Sequence, residues 1–119
     1  KAIAGHVIGD VEGKTCLIFD DEIDTAGSMM EAVRTLKDSG AKDIYAACTH
    51  GILSGEAIER IQNSSLKELV ITNTVPLPPE KQIDKIKVLD IAPLFGRAIK
   101  KIHSGEGVGE LFEDHKMEF

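Results

Sequence analysis

Aromatic residues are scarce in this chain: four Phe, one Tyr and no Trp among 119 residues. Such a composition leaves little with which to stack nucleobases or sugars. An excess of positive charge is missing too. Fourteen Lys and Arg stand against twenty Asp and Glu, a formal net charge of −6, which speaks against electrostatic attachment to nucleic acid or to a membrane surface. No apolar run approaches the ~20 residues of a membrane span, and the opening residues do not read as a secretory signal. The two cysteines, Cys16 and Cys48, lack C-x-x-C spacing and lie in apolar, strand-like runs. They read as reduced, buried small hydrophobes rather than as metal or redox groups. A cytoplasmic location is the expectation. So is one domain over residues 1–119, large enough to bury roughly 65% of its unfolded surface.

What is present alternates between strand-like and helix-like segments. Ala2 to Ile8 has some strand character, and Val11-Glu-Gly-Lys14 reads as a turn feeding the next strand. Thr15 to Phe19 is a short continuous apolar run ending at Asp20, as expected of a strand buried on both faces in a parallel sheet. Met30, Val33 and Leu36 mark an amphipathic helix from Gly27 to Ser39 that stops at Gly40. Asp43 to Cys48 is a second strand, and Ser54 is placed to cap a short helix carrying Ile58 and Ile61. Leu69 to Thr72 is a third strand. Three prolines between Val75 and Pro79 require an extended segment. Ile86 to Leu89 is a fourth strand. Asp90 then caps a helix whose Ile91, Leu94, Phe95, Ala98, Ile99 and Ile102 form one apolar stripe ending at Gly105. Glu106 to Phe119 reads as a weakly ordered tail. The order β-α-β-α-β-β-α predicts an α/β fold with a doubly wound, mostly parallel sheet flanked by helices.

Chemistry concentrates in Asp20-Asp-Glu-Ile-Asp-Thr-Ala-Gly-Ser28, between the first strand and its helix. The carboxyl edge of an open parallel sheet is where such folds bind ligands. Unpaired N–H groups and the helix dipole favour an anion there, and small Ala26 and Gly27 let a phosphate approach the backbone. Thr25 and Ser28 add hydroxyl donors. Any one of these acids is accounted for as a helix cap or a solvated charge. The set is not: Asp20 and Asp21 repel each other unless a metal ion or a ligand rich in hydroxyls accepts them. A phosphorylated sugar fits both halves, with its phosphate at the turn and its hydroxyls at the carboxylates.

Phe19-Asp-Asp-Glu-Ile-Asp-Thr-Ala-Gly-Ser28 resembles the phosphoribosyl-binding motif of the type I phosphoribosyltransferase fold. Three later stretches narrow the likeness: Ser39 to His50, Leu53-Ser-Gly55 with Ile58 to Ser64, and Leu66 to Asn73. Together they are similar to the C-terminal domain of the ribose-phosphate pyrophosphokinases (phosphoribosyl pyrophosphate synthetases), over about Gly9 to Phe112. The resemblance implies transfer of the diphosphoryl group of ATP to the anomeric hydroxyl of ribose 5-phosphate, with Mg²⁺. It implies that Asp20 and Asp21 meet the ribose hydroxyls and that Asp24, Thr25, Ala26, Gly27 and Ser28 cradle the 5-phosphate. It also implies full-length chains that assemble into homo-oligomers, hexamers in this family.

The resemblance further implies that the ATP site, the metal-binding His and Asp and the catalytic Lys-Arg flap belong to an N-terminal domain and linker. None of these is matched here, and Lys1 lies too close to the first matched segment to be the catalytic lysine. No catalytic residue is assigned, the metal ligands stay unassigned, and the chain by itself is expected to be inactive. Glu22 stands where the family has an apolar residue and is expected to face solvent. Gly107 and Gly109, flanking Val108 and followed by Phe112, replace two serines of the family's regulatory phosphate and ADP segment; glycine N–H groups can still hold an anion. His50 is read as a structural residue of a loop or interface. Two other functions on this fold stay open: a non-catalytic interface or regulatory subunit, and a nucleobase phosphoribosyltransferase, although no spare segment supplies a base-binding hood. A signalling receiver domain also pairs acids after its first strand. It needs an acceptor Asp at the end of a later strand, where this chain has Thr49-His50.

Overall fold

A computed structural model describes residues 6–113. Four strands, β1 (Cys16–Ile23), β2 (Ile44–Gly51), β3 (Glu68–Thr72) and β4 (Ile86–Leu89), form one sheet in the order β1-β2-β3-β4. β1 pairs with β2, and β2 with β3, in parallel. Parallel neighbours need crossovers, and the chain supplies α1 (Gly27–Asp38) and α2 (Ala57–Gln62) for the purpose. The expected α/β architecture is therefore present. The described chain divides after Val88 into two compact units, the second holding α3 (Ala92–His103) and α4 (Glu110–Glu113).

In the first unit the core explains the pattern. Ile44, Ala46 and Cys48 alternate along β2, Leu69 and Ile71 along β3, and all are buried. Against them lie Met29, Met30 and Val33 of α1 and Ala57 and Ile61 of α2. Val33, Ile44, Leu53, Ile61, Leu66, Leu69 and Ile71 are the largest side chains with almost no exposure. Each contributes about 1.5–3 kcal/mol of burial. Leu17 and Phe19, at the alternate positions of β1, are exposed, so this strand is not buried on both faces as its continuous apolar run suggests: α1 and α2 supply the core against only one of them. Gly51 leaves room for Ile71: a Cβ there would sit 2.9 Å from Ile71 Cδ1 and force that buried side chain to shift.

Turns end where the sequence suggests. Lys14 N–H donates to Val11 O at 3.0 Å in the turn before β1, and Gly40, at φ 91°, closes the end of α1. Other boundaries move. β1 does not stop at Asp20 but continues through Asp21, Glu22 and Ile23, because its ladder to β2 persists opposite His50 and Gly51. β2 likewise runs three residues past Cys48. The strand character expected of Ala2 to Ile8 lies partly outside the described residues, and residues 6–8 are not strand. Ser54 does not cap α2: Glu56 is at that position, and the Ser54 hydroxyl is spent elsewhere.

In the second unit Asp90 Oδ1 accepts from Ala92 N–H at 2.9 Å, Pro93 lies in the first turn of α3, and Gly105 follows its end at φ 76°. The expected stripe is there, with Phe95, Ile99 and Ile102 exposed. The expected tail is not wholly irregular, since Glu110–Glu113 forms a short helix.

Candidate functional site

The carboxyl end of β1 opens into a cleft of about 350 Å³ lined by residues 20–29 without a break. Every residue assigned to the ribose hydroxyls or the 5-phosphate from the sequence therefore lines one cavity. Asp20 and Asp21 are both exposed, and Asp21 N–H donates to Asp20 Oδ1 at 2.8 Å. Glu22 is exposed as well, as expected for a side chain facing water. Ala26 is buried and precedes α1 in a left-handed conformation, φ 64°. For a residue with a Cβ that conformation costs about 1–2 kcal/mol and persists only when surroundings fix it.

The surroundings do fix it, from one side. Ile23 O accepts from the N–H groups of Ile52 (3.0 Å) and Leu53 (3.1 Å), and Asp24 O from Ser54 N–H at 3.0 Å. Thr25 O accepts from Arg60 Nη1 at 2.9 Å, and Ala26 O from Met30 N–H at 3.0 Å. The Ser54 hydroxyl donates to Asp24 Oδ1. Four successive carbonyls are thus occupied by protein donors. The N–H groups of Thr25, Ala26, Gly27 and Ser28, by contrast, have no protein acceptor among the described residues. No side chain caps α1, so neither Asp24 nor Thr25 plays the cap that a purely structural account requires. Leu53, fully buried at φ 54°, is the other left-handed residue with a side chain among the described residues, and its N–H is bonded to Ile23 O in this same assembly.

Chemically, the result is a row of unpaired N–H donors at the positive end of a 12-residue helix, with the Thr25 and Ser28 hydroxyls beside it. An anion with several oxygens suits it. Asp20 and Asp21 line the same cleft, and their exposed carboxylates are free to accept hydrogen bonds.

Three contributors escaped the sequence reading. Arg60 and Ser54 hold the loop, but their residue types carry no signal of it; only the chain's return to β1 brings them there. The third is a small network at the ends of β2 and β3. Thr72 Oγ1 donates to Thr49 O at 2.6 Å, and Thr74 Oγ1 to the same oxygen at 3.2 Å. His50 Nδ1 lies 2.8 Å from Thr74 Oγ1, which gives it a structural partner.

Cys48 is opposite Asp20 in the ladder and only 5% exposed. Burial pushes its thiol up from 9.0 to about 11, with the Asp20 and Asp21 charges adding and a hydrogen bond from the Ile23 backbone opposing. Thiolate formation is thus favoured in the unfolded chain first, and the folded form keeps its proton. Folding stability contributed at this site is intact below pH 9.0 and falls as pH rises through about 11. Alkylation at pH 8 should label the half-buried Cys16 and leave Cys48 unlabelled until denaturant is added, as peptide mass analysis would read.

Gly107, Val108, Gly109 and Phe112 fall in the second unit, and a Cβ at either glycine would meet nothing within 4 Å. Nearby, Lys101 Nζ pairs with Glu110 at 2.9 Å and Glu106 at 3.5 Å. The hydrogen bond to Glu110 is the main reason the Lys101 ammonium is held above its usual range.

Sheet, loop and unpaired amides define an α/β domain with a cleft of free backbone N–H donors at the carboxyl edge of its sheet. The chain belongs to the phosphoribosyl synthetase-associated domain family, whose model matches residues 4–113. It is 57% identical over 107 residues to a protein of Caldanaerobacter subterraneus named ribose-phosphate pyrophosphokinase, and 54% identical over 107 residues to one of Corynebacterium ammoniagenes with the same name. Each alignment covers 90% of this chain and 34% of the relative. Among solved structures, phosphoribosylpyrophosphate synthetase from Mycobacterium smegmatis superposes with a TM-score of 0.82 at 42% identity, covering 84% of this chain and 34% of that one. The chain thus spans about a third of the length of the relatives it matches.

Proposed function

We propose that this chain is the ribose 5-phosphate-binding, C-terminal domain of a ribose-phosphate pyrophosphokinase, with the type I phosphoribosyltransferase fold. The observation that carries the reading is the row of four unpaired backbone N–H groups, residues 25–28, in the same cleft as Asp20 and Asp21. The names of the relatives support it independently. In this reading the 5-phosphate takes those amides and the Thr25 and Ser28 hydroxyls, while the Asp20 and Asp21 carboxylates accept hydrogen bonds from the ribose hydroxyls. The chain binds and orients the acceptor. Residues that bind ATP, and that help move its diphosphoryl group to the anomeric oxygen, belong to the two-thirds of such a protein that this chain does not match. Its product feeds nucleotide biosynthesis in the cytoplasm, and the complete enzyme is a homo-oligomer.

Mg²⁺ fits this site only in part. It keeps much of its water and binds through one or two carboxylates together with substrate oxygens. Asp20 and Asp21 can supply such carboxylates. Among the described residues no group of three or more His, Cys, Asp or Glu is arranged to hold a metal by itself. When bound, the ion would neutralise phosphate charge in the assembled enzyme.

Titration calorimetry with ribose 5-phosphate in buffer containing Mg²⁺ tests the reading. Saturable one-to-one binding is expected, without turnover on adding ATP to this chain alone. A folded chain that gives no saturable signal would overturn it.

A further inference from the structure

The reading above uses the residues that face the cleft. Arg60 does not face it. It projects from α2 into a separate groove between α1 and α2, which it shares with Met30, Val33 and Ser64 and which meets the ligand cleft at Gly27. Its guanidinium ends against the loop all the same. Nη1 donates to Thr25 O at 2.9 Å and lies 3.8 Å from the point where a Cβ on Gly27 would be. Nη2 is tied to Glu56 Oε2 at 3.0 Å, one helical turn back, so the fork is held at both tips.

We propose that Arg60 is a positioning residue for phosphate recognition: by holding the Thr25 carbonyl from behind, it keeps the N–H groups of residues 26–28 turned into the cleft. The inference rests on the reading of residues 24–28 as the phosphate loop. A peptide unit carries its N–H and C=O on opposite sides, so fixing Thr25 O fixes the direction of Ala26 N–H. The next residue is the one in the left-handed conformation, whose cost requires an outside constraint. The other carbonyls of the loop are held by backbone donors, which substitution leaves in place; the hold on Thr25 O alone depends on a side chain. The guanidinium also puts a permanent positive charge under a cradle whose visible neighbours are Asp20, Asp21, Glu22 and Asp24. Lysine would supply the charge without the fork, and it could not reach Thr25 O and Glu56 together in one plane.

The test compares the unmodified chain with Arg60→Met and Arg60→Lys. Calorimetry gives the affinity for ribose 5-phosphate, and amide hydrogen exchange on the ligand-free proteins gives the state of the loop. Arg60→Met is expected to weaken ribose 5-phosphate binding about tenfold, the equivalent of ~1.4 kcal/mol. It is expected to speed exchange at the Ser54 and Met30 amides, which donate to the carbonyls on either side of Thr25 O, while leaving the β2 amides of Ile44 to Cys48 unchanged. Arg60→Lys should recover only part of the affinity. A merely structural Arg60 would instead leave affinity untouched or speed exchange across α2 and the sheet. If the unmodified chain binds ribose 5-phosphate and Arg60→Met binds it within twofold, the positioning role is wrong and the phosphate-loop reading stands. If the unmodified chain itself fails to bind, the phosphate-loop reading falls and this inference with it. Should Arg60→Met not fold, Arg60→Gln, which stays polar but ends two bonds short of the Nη1 that holds Thr25 O, is measured in the same two ways with the same expected losses.

Discussion

A chain carrying Asp20→Asn together with Asp21→Asn is expected to bind ribose 5-phosphate about 100-fold more weakly while melting at the same temperature or slightly above. Hydrogen bonds to a charged acceptor are worth about 1.5–3 kcal/mol each, and two of them lost to neutral amides correspond to ~2.7 kcal/mol. The fold should not suffer. Both side chains are exposed, and the one hydrogen bond between them, Asp21 N–H to Asp20 Oδ1, survives with an amide oxygen. Removing two adjacent negative charges also relieves their repulsion. Calorimetry with ribose 5-phosphate, paired with a thermal melt, checks both halves. An unchanged affinity would mean that the carboxylates do not meet the sugar; a collapse in melting temperature would make them structural.

The second large effect concerns stability. Leu69→Ala should lower the unfolding free energy by about 3–5 kcal/mol, as truncations of fully buried leucines do when the neighbours cannot close the void. Leu69 has no exposed surface and lies in β3, between β2 and β4, opposite Ala46 in the ladder. A side chain as small as Ala46 cannot fill the space. Urea denaturation would show the midpoint falling at an unchanged slope. A loss below about 1 kcal/mol would mean that the helices settle onto the sheet more readily than their close packing allows.

Much of this molecule is written locally in its sequence. The helix spacing of Met30 and Val33, the stop at Gly40 and the Asp90 carboxylate at the start of α3 are short-range features that appear where periodicity puts them, although the capping position itself falls to Ile91 and Asp90 bonds to Ala92 N–H. So does the loop from Asp24 to Ser28, because its small residues and hydroxyls need only their neighbours to be understood. The extension of β1 through Asp20, Asp21 and Glu22 is different. Asp20 and Glu22 stay in the strand by pairing with β2, carrying Asp21 between them, and a backbone ladder leaves no mark on hydropathy. Ser54 illustrates the same limit: spacing makes it a cap, but the chain's return to β1 offers it Asp24. Arg60 is 35 residues from its partner Thr25, and an exposed arginine on a helix looks like any other until the fold is closed. Local signals give the cradle; tertiary contacts give what steadies it.

Carbonyls 23–26 are already bonded to protein when the ligand arrives. On the proposed reading, the entropy of ordering this loop is therefore lost once, when the domain folds, rather than at each encounter with a phosphate. Association should then resemble entry into a standing site, with a rate set by diffusion and by the repulsion of the surrounding acids, not by a closing motion of the loop.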